Sequence, residues 1–135
     1  MAEEPNAASV ALIDGDRVLL VQRARPPFAG LWTLPGGRRE PRETARHCAV
    51  REVREELGIA VGSLVPVTVR SVPETSGGTW RLEVFGADAF AGEITPSDEV
   101  ADHRWVRLAE VAELDTTPGL GTTLELAVRA LQQMA

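Results

Sequence analysis

The stretch from Thr44 to Leu57 limits the fold of this chain more than any other segment. It contains neither glycine nor proline, consists largely of good helix formers, and is followed by Gly58. Thr44 is a suitable N-cap and Gly58 a suitable C-terminal cap, so the sequence predicts a helix between them. At 100° per residue, three apolar residues fall on one arc and three glutamates on another. We expect a core face of Val50, Val53 and Leu57 and a carboxylate face of Glu52, Glu55 and Glu56.

Runs rich in β-forming residues lie on both sides of this helix. Residues 8–13 and 17–23 are joined by Asp14-Gly15-Asp16, and an Asp-Gly pair between such runs predicts a hairpin. Further strands are predicted at 31–34, ending at Pro35-Gly36-Gly37, and near 59–71, 79–90 and 103–108. A loop is predicted at 24–30 and a turn at 75–79. The last predicted element is a helix over 120–134 with Leu124, Val128 and Leu131 on one face. This order predicts a single domain over residues 1–135 with an α/β or α+β sandwich, in which helices pack on a mixed sheet.

The composition excludes several classes of function. The chain has 135 residues and a net charge of -6, with 14 basic against 20 acidic residues, so a long nucleic-acid interface is not expected. Every basic residue is arginine, which excludes a catalytic lysine and a P-loop lysine. Cys48 is the only cysteine, so no intrachain disulfide forms. The first residues lack a signal core and no apolar run could cross a bilayer, so we expect a soluble, cytoplasmic protein without a membrane partner.

The three glutamates of the helix are unfavourable together, because like charges three and four residues apart repel. A hard divalent cation removes this conflict, since carboxylate oxygens at this spacing can converge on Mg²⁺. The alternative is a solvated helix face on which the glutamates pair with Arg51 and Arg54. The residues around the three glutamates help to decide between a metal site and a solvated face.

A longer pattern surrounds these glutamates. It consists of Gly37, five residues, Glu43, seven residues, and then Arg51-Glu52-Val53-Arg54-Glu55-Glu56-Leu57-Gly58-Ile59. The pattern resembles the Nudix box, G-x5-E-x7-R-E-U-x-E-E-x-G-U with U aliphatic, and every specified position is filled across residues 37–59. A looser resemblance extends from the 8–23 hairpin to Trp105.

The resemblance implies both a fold and a reaction. Nudix enzymes are α/β/α sandwiches around a mixed sheet, with the box as a loop–helix–loop. They hydrolyse a nucleoside diphosphate linked to another group X, using water and usually Mg²⁺, with Mn²⁺ as a substitute. Carried over by position, the metal ligands are Glu52, Glu55, Glu56 and the carbonyl of Gly36. Arg51 would orient the glutamates, Glu43 would act structurally or through water, and Glu52 is the base in some relatives.

Four residues outside the box helix complete the predicted site. Relatives often carry a fourth carboxylate six residues before a strand tryptophan, and Glu99 stands six residues before Trp105. Glu99 is therefore predicted as a metal ligand or general base, the alternative being a surface acid beside Asp98. Arg23, Gly37 and Trp80 are the substrate-binding candidates. A plain surface role for Arg23 and core packing for Trp80 are the alternatives.

The resemblance leaves the substrate open between ADP-ribose-like compounds and (deoxy)nucleoside triphosphates. MutT-like relatives read a purine with an asparagine near the last helix, but the only asparagine here is Asn6, which counts against a MutT-type reading. Arg42 stands where relatives often have glycine. Cys48 shares a stripe with the glutamates, and packing is favoured over catalysis for it. A nucleotide-binding Nudix domain without turnover is the alternative function, and a homodimer is possible.

Overall fold

The structure is a computed structural model that describes residues 4–73 and 77–134. These residues form strands β1 to β9, helices α1 and α2 and one short 3₁₀ helix. Their bounds are β1 Ala7–Asp14, β2 Arg17–Arg23, β3 Trp32–Thr33, β4 Gly36–Arg38, α1 Ala45–Leu57, β5 Ala60–Val61, β6 Val65–Pro73, β7 Thr79–Ala87, β8 Phe90–Ala91, β9 Val100–Arg107, the 3₁₀ helix Leu108–Glu113 and α2 Leu120–Gln133.

Seven of the strands form one mixed sheet, in which five follow the order β3-β2-β1-β7-β6 and the other two, β4 and β9, pair with β1 and β2. Strands β1 and β7 run parallel, while β6 pairs antiparallel with β7 and β2 pairs antiparallel with both β1 and β9. Strand β4 pairs with the start of β1, opposite Ala7, Ala8 and Ser9. Strands β5 and β8 form a separate pair. The predicted hairpin over residues 8–23 and the predicted mixed sheet are thus confirmed.

Alternate residues of the central strand divide the core into two layers. In β1, Val10 and Leu12 belong to the cluster that packs under α1, whereas Ala11 and Ile13 belong to the cluster that packs under α2. This alternation follows from the two-residue period of a strand, and it gives both faces of the sheet an apolar surface. One helix covers each face, so the α/β/α sandwich predicted from the sequence is confirmed.

The two caps of α1 are those predicted, and two of the three predicted core residues, Val53 and Leu57, are buried. The Thr44 hydroxyl accepts from the His47 N–H at 3.1 Å, and Gly58 adopts a left-handed φ of 70°. Val50, predicted in the core, is 37% exposed. The small side chains of Ala45, Cys48 and Ala49 face the sheet instead, and the same rotation buries Glu52 and Glu56. The predicted separation of a core face from a carboxylate face is therefore wrong for these two glutamates.

Several strand bounds also differ from the prediction. Gly36 and Gly37, predicted to stop a strand, belong to β4 because the edge of β1 offers them backbone partners. The predicted strand over 59–71 divides into β5 and β6, that over 79–90 divides into β7 and β8, and that over 103–108 begins earlier, at Val100, and ends in the 3₁₀ helix. Part of the predicted turn at 75–79 lies outside the described residues.

Helix α2 is confirmed, with Leu124 buried and Val128 and Leu131 packed beside it. Within the described ranges, no helix has the length and apolar character needed to cross a membrane.

Candidate active site

Three carboxylates converge at the C-terminal half of α1. Glu52, Glu56 and Glu99 each place an oxygen so that all three oxygens lie within 4.8 Å of one another. Glu52 and Glu56 are 9% and 7% exposed, and the Glu99 side chain is 52% exposed. The group is thus buried on its helix side and open to solvent on its loop side.

Glu99 reaches α1 because the loop before β9 is hydrogen-bonded to the end of that helix. The N–H groups of Thr95 and Ser97 donate to the carbonyls of Leu57 and Glu56, both at 2.8 Å. These carbonyls are among the last four of the helix, which have no partner within it. The N–H of Ala24 donates to the Glu99 carbonyl at 3.2 Å and fixes the other side of the loop. Backbone bonds therefore position Glu99 beside the box.

The carboxylates are electrostatically strained in the absence of a cation. Burial, followed by the charge of Glu52, raises the pKa of Glu56 from 4.5 to about 8, although the Gly36 N–H and Arg23 oppose the change. Burial also raises the pKa of Glu52. Buried like charges favour protonation unless a positive charge compensates them. A divalent cation would supply that compensation, and an all-carboxylate oxygen set is the kind that Mg²⁺ prefers.

Arg51 is hydrogen-bonded to three glutamates of the box, Glu43, Glu52 and Glu55. Its guanidinium donates to both oxygens of Glu43, at 2.7 and 2.9 Å, and this pairing lowers the pKa of Glu43 to about 2. Its Nη1 donates to Glu52 at 3.0 Å and to Glu55 at 3.1 Å. Glu55 is exposed. It pairs with Arg51 and does not belong to the group of three converging carboxylates.

The two glycines before the helix allow the backbone to approach the carboxylates. The Gly36 N–H donates to the Glu56 carboxylate. A Cβ at Gly36 would overlap the Ala8 carbonyl and Ser9, and a Cβ at Gly37 would overlap the carboxylate of Glu52. The overlap with backbone requires glycine at position 36, whereas a larger residue at position 37 would displace the Glu52 carboxylate.

A cavity of about 240 Å³ opens on the α2 side of the sheet, and all three predicted substrate-binding residues line it. Arg23 and Gly37 stand at the edge toward the carboxylates, where Arg23 donates to the Pro27 carbonyl at 2.6 Å. Trp80 forms part of the wall, and the guanidinium carbon of Arg38 lies 4.2 Å from its ring centroid. Gly36 and Gly37 border both the cavity and the carboxylates, so the two regions adjoin at these glycines.

Arg70 and Ser9, two polar residues of the lining, were not among the site residues predicted from the sequence. Arg70 projects from β6 and donates to the Pro118 carbonyl at 2.6 Å and the Thr123 hydroxyl at 3.2 Å. The Oγ of Ser9 is buried and has no hydrogen-bond partner among the described residues. No local motif marks either residue, because β1, β6 and α2 meet only in the folded chain.

Cys48 lies in the core, in agreement with the packing role favoured from the sequence. It is fully buried, its thiol lies 3.4 Å from the Gly37 carbonyl, and burial raises its pKa to about 11. A thiol in this state is a poor nucleophile at neutral pH.

Comparison with known proteins agrees with this geometry. The NUDIX domain model matches residues 3–126. A Mycobacterium tuberculosis protein provisionally named 8-oxo-dGTP diphosphatase 2 is 37% identical over 112 residues, which cover 80% of this chain and 77% of that protein. The ADP-ribose pyrophosphatase of Methanocaldococcus jannaschii is 31% identical over 128 residues, 93% of this chain and 72% of that protein. The crystal structure of a MutT NUDIX hydrolase from Burkholderia pseudomallei superposes with a TM-score of 0.80 at 30% identity, covering 93% of this chain and 98% of that one.

The chain therefore belongs to the Nudix hydrolases, and the predicted family and enzyme class are confirmed. Two of these relatives carry the names of a diphosphatase and a pyrophosphatase.

Proposed function

We propose that this enzyme hydrolyses the diphosphate linkage of a nucleoside diphosphate bonded to a group X, with water as the nucleophile and Mg²⁺ as the metal ion. The observation that carries the proposal is the convergence of Glu52, Glu56 and Glu99 beside a cavity of nucleotide-fragment size. Mn²⁺ is the expected substitute ion, because both metals accept carboxylate oxygens.

The proposed ligands are Glu52, Glu56, Glu99, the Gly36 carbonyl and, from its position in the box, Glu55. The all-oxygen donor set and the strain between buried carboxylates support this assignment. A bound Mg²⁺ would neutralise charge on the phosphate oxygens and lower the pKa of a bound water.

The protein's own residues divide the remaining work. Arg51 holds Glu52 by a hydrogen bond of 3.0 Å and so fixes one proposed ligand. Because Glu52 already accepts from Arg51, it is the weaker candidate for general base. Glu99 is half exposed on the solvent side, and we assign it to accept the proton of the attacking water.

The substrate is proposed to place its nucleoside end in the cavity and its phosphates over the carboxylates. Arg23 lies between these regions, since it lines the cavity and its charge acts on Glu56. Four N–H groups of Arg23 have no hydrogen-bond partner among the described residues, so they are free to bind phosphate oxygens. The names of the relatives support both an ADP-ribose-like compound and a (deoxy)nucleoside triphosphate as substrate.

The test is product release from ADP-ribose and the common (d)NTPs in Mg²⁺, Mn²⁺ or EDTA. We expect turnover that EDTA abolishes, and a loss of about 100-fold or more in Glu99→Gln, the usual range for removing a catalytic base. Asp98→Asn, which removes an adjacent exposed carboxylate, is the matched control and should stay within about twofold of wild type.

The outcomes separate the two functions left open by the sequence. Tight nucleotide binding without metal-dependent turnover would refute the enzyme and favour a nucleotide-binding Nudix domain. Equal losses in Glu99→Gln and Asp98→Asn would refute the role of Glu99.

A further inference from the structure

The α2 side of the cavity presents hydrogen-bond donors that the protein leaves unused. The Arg70 guanidinium has five N–H groups, and two of them bond to Pro118 and Thr123. The other three have no partner among the described residues. Ser9, with its unpaired hydroxyl, lines the same cavity.

Groups that would pair with these donors are scarce in the cavity. Its lining contains no aspartate, glutamate, asparagine or glutamine among the described residues, so the side-chain acceptors are hydroxyls. The single asparagine, Asn6, is engaged elsewhere, where its Oδ1 accepts from the Arg81 N–H at 2.9 Å. A bound group must therefore bring its own acceptors.

The size and polarity of the cavity point to a nucleobase as that group. Ligand pockets for whole drug-sized molecules enclose about 300–1,000 Å³, and this cavity of about 240 Å³ holds one part of a substrate. Much of its wall is apolar, including Leu34, Leu82 and Leu120, and Trp80 adds an indole. Such walls suit a flat ring rather than a phosphate, and indole rings stack on bases.

Arg70 is held in a defined orientation. The two bonds to Pro118 and Thr123 fix the guanidinium at the first turn of α2, and a Cβ at Gly119 would overlap it. The planar fork of arginine binds two adjacent acceptors at once, as it does with O6 and N7 of guanine. An arginine fixed in this way distinguishes bases by the pattern of acceptors on one edge.

We propose that Arg70 selects substrates whose base carries two adjacent acceptors on one edge, which are guanine (O6 and N7) and cytosine (N3 and O2). Adenine places an amino donor beside N7 and beside N1, and uracil separates its two carbonyls by an N–H donor, so both pair poorly with the fork. This inference rests on the proposed function, because it assigns the nucleoside end of the same substrate to the cavity. It favours guanine or cytosine nucleoside triphosphates over ADP-ribose, which carries adenine.

The test measures binding of GMP, CMP, AMP and UMP by isothermal titration calorimetry in Mg²⁺, for wild type and two variants. We expect GMP or CMP to bind at least about tenfold more tightly than AMP and UMP, the size of effect typical of a bidentate base contact. In Arg70→Met, the affinities for the four nucleotides should differ by no more than about threefold. Arg107→Met, an exposed arginine of β9 outside the cavity, should retain the wild-type ratio.

Arg70→Lys and thermal melts keep the test interpretable if Arg70→Met alters α2. Lysine keeps the charge without the fork, so it should also lose the ratio while the melting temperature stays near that of wild type. Tightest binding of AMP or UMP, or an unchanged ratio in a folded Arg70 variant, would overturn the inference. If the base preference depends on Arg70 but no nucleotide is hydrolysed, base selection stands and the proposed hydrolysis fails.

Discussion

Replacing Glu56 with glutamine should stabilise the metal-free protein while removing its activity. Glu56 is 7% exposed, and burial together with Glu52 raises its pKa from 4.5 to about 8. Because this carboxyl is harder to ionise in the folded chain than in the unfolded chain, it destabilises the fold at pH values above about 4.5. This destabilisation increases with pH up to about pH 8, and it is absent below about pH 4.5, where the carboxyl is protonated in both states. Glutamine keeps the shape and removes the charge.

The magnitude follows from the pKa difference. Each pKa unit corresponds to about 1.4 kcal/mol, so at pH 7 the buried carboxyl costs up to about 3 kcal/mol, falling below about 1 kcal/mol at pH 5. For a chain of this length that predicts a melting temperature higher by roughly 5–10 °C for Glu56→Gln at pH 7. Addition of Mg²⁺ should reduce or reverse this difference in melting temperature, because the wild type gains stability by binding the ion.

The assay is thermal unfolding of wild type and Glu56→Gln in EDTA at pH 5 and pH 7, and then in Mg²⁺. Glu125→Gln, an exposed glutamate of α2, is the control and should leave the melting temperature unchanged. Turnover measured on the same samples should fall by at least about 100-fold in Glu56→Gln only. The reasoning is refuted if Glu56→Gln melts below wild type in EDTA at pH 7, or if the difference does not depend on pH.

Three further changes test other parts of the structure. Arg42→Gly should raise the free energy of unfolding by about 1 kcal/mol, because Arg42 has a φ of 68° that glycine adopts without strain; a lower melting temperature would contradict this. Glu43→Gln should destabilise the protein at pH 7 but not near pH 2. The folded-state pKa of Glu43 is about 2, below its value of 4.5, so its stabilisation is complete above pH 4.5 and lost on acidification toward pH 2; a loss equal at both pH values in urea titrations would contradict the pairing with Arg51. Cys48→Ala should leave metal-dependent turnover nearly unchanged, and a folded variant without turnover would assign the thiol a role.

The fold was predictable where local chemistry decides it. The Asp-Gly hairpin and the caps at Thr44 and Gly58 depend on turn geometry and on backbone groups that need partners, so short stretches of sequence specify them. The orientation of α1 was not predictable in this way. Charged side chains are expected on the solvent-exposed face of a helix. In α1, however, the small residues Cys48 and Ala49 are buried, and Glu52 is buried with them.

The candidate site was predictable mainly within its motif. The box gave the glutamates of α1 and Arg51, because their spacing on one helix and its preceding loop is local. The convergence of Glu99 depends on loop-to-helix backbone bonds, and for it the spacing from Trp105 was the available signal. Arg70 and Ser9 come from strands whose distance in sequence hides their common cavity. Their importance emerges from unused hydrogen-bond capacity, which a sequence does not display.

The most direct test of the account is Mn²⁺ binding, followed by electron paramagnetic resonance, for wild type and for Glu52→Gln, Glu99→Gln and Glu125→Gln. We predict that wild type and Glu125→Gln bind Mn²⁺ with equal affinity, that Mg²⁺ displaces it, and that the other two variants bind at least about tenfold more weakly. Unchanged Mn²⁺ affinity in both Glu52→Gln and Glu99→Gln would contradict the claim that the three converging carboxylates hold the metal ion.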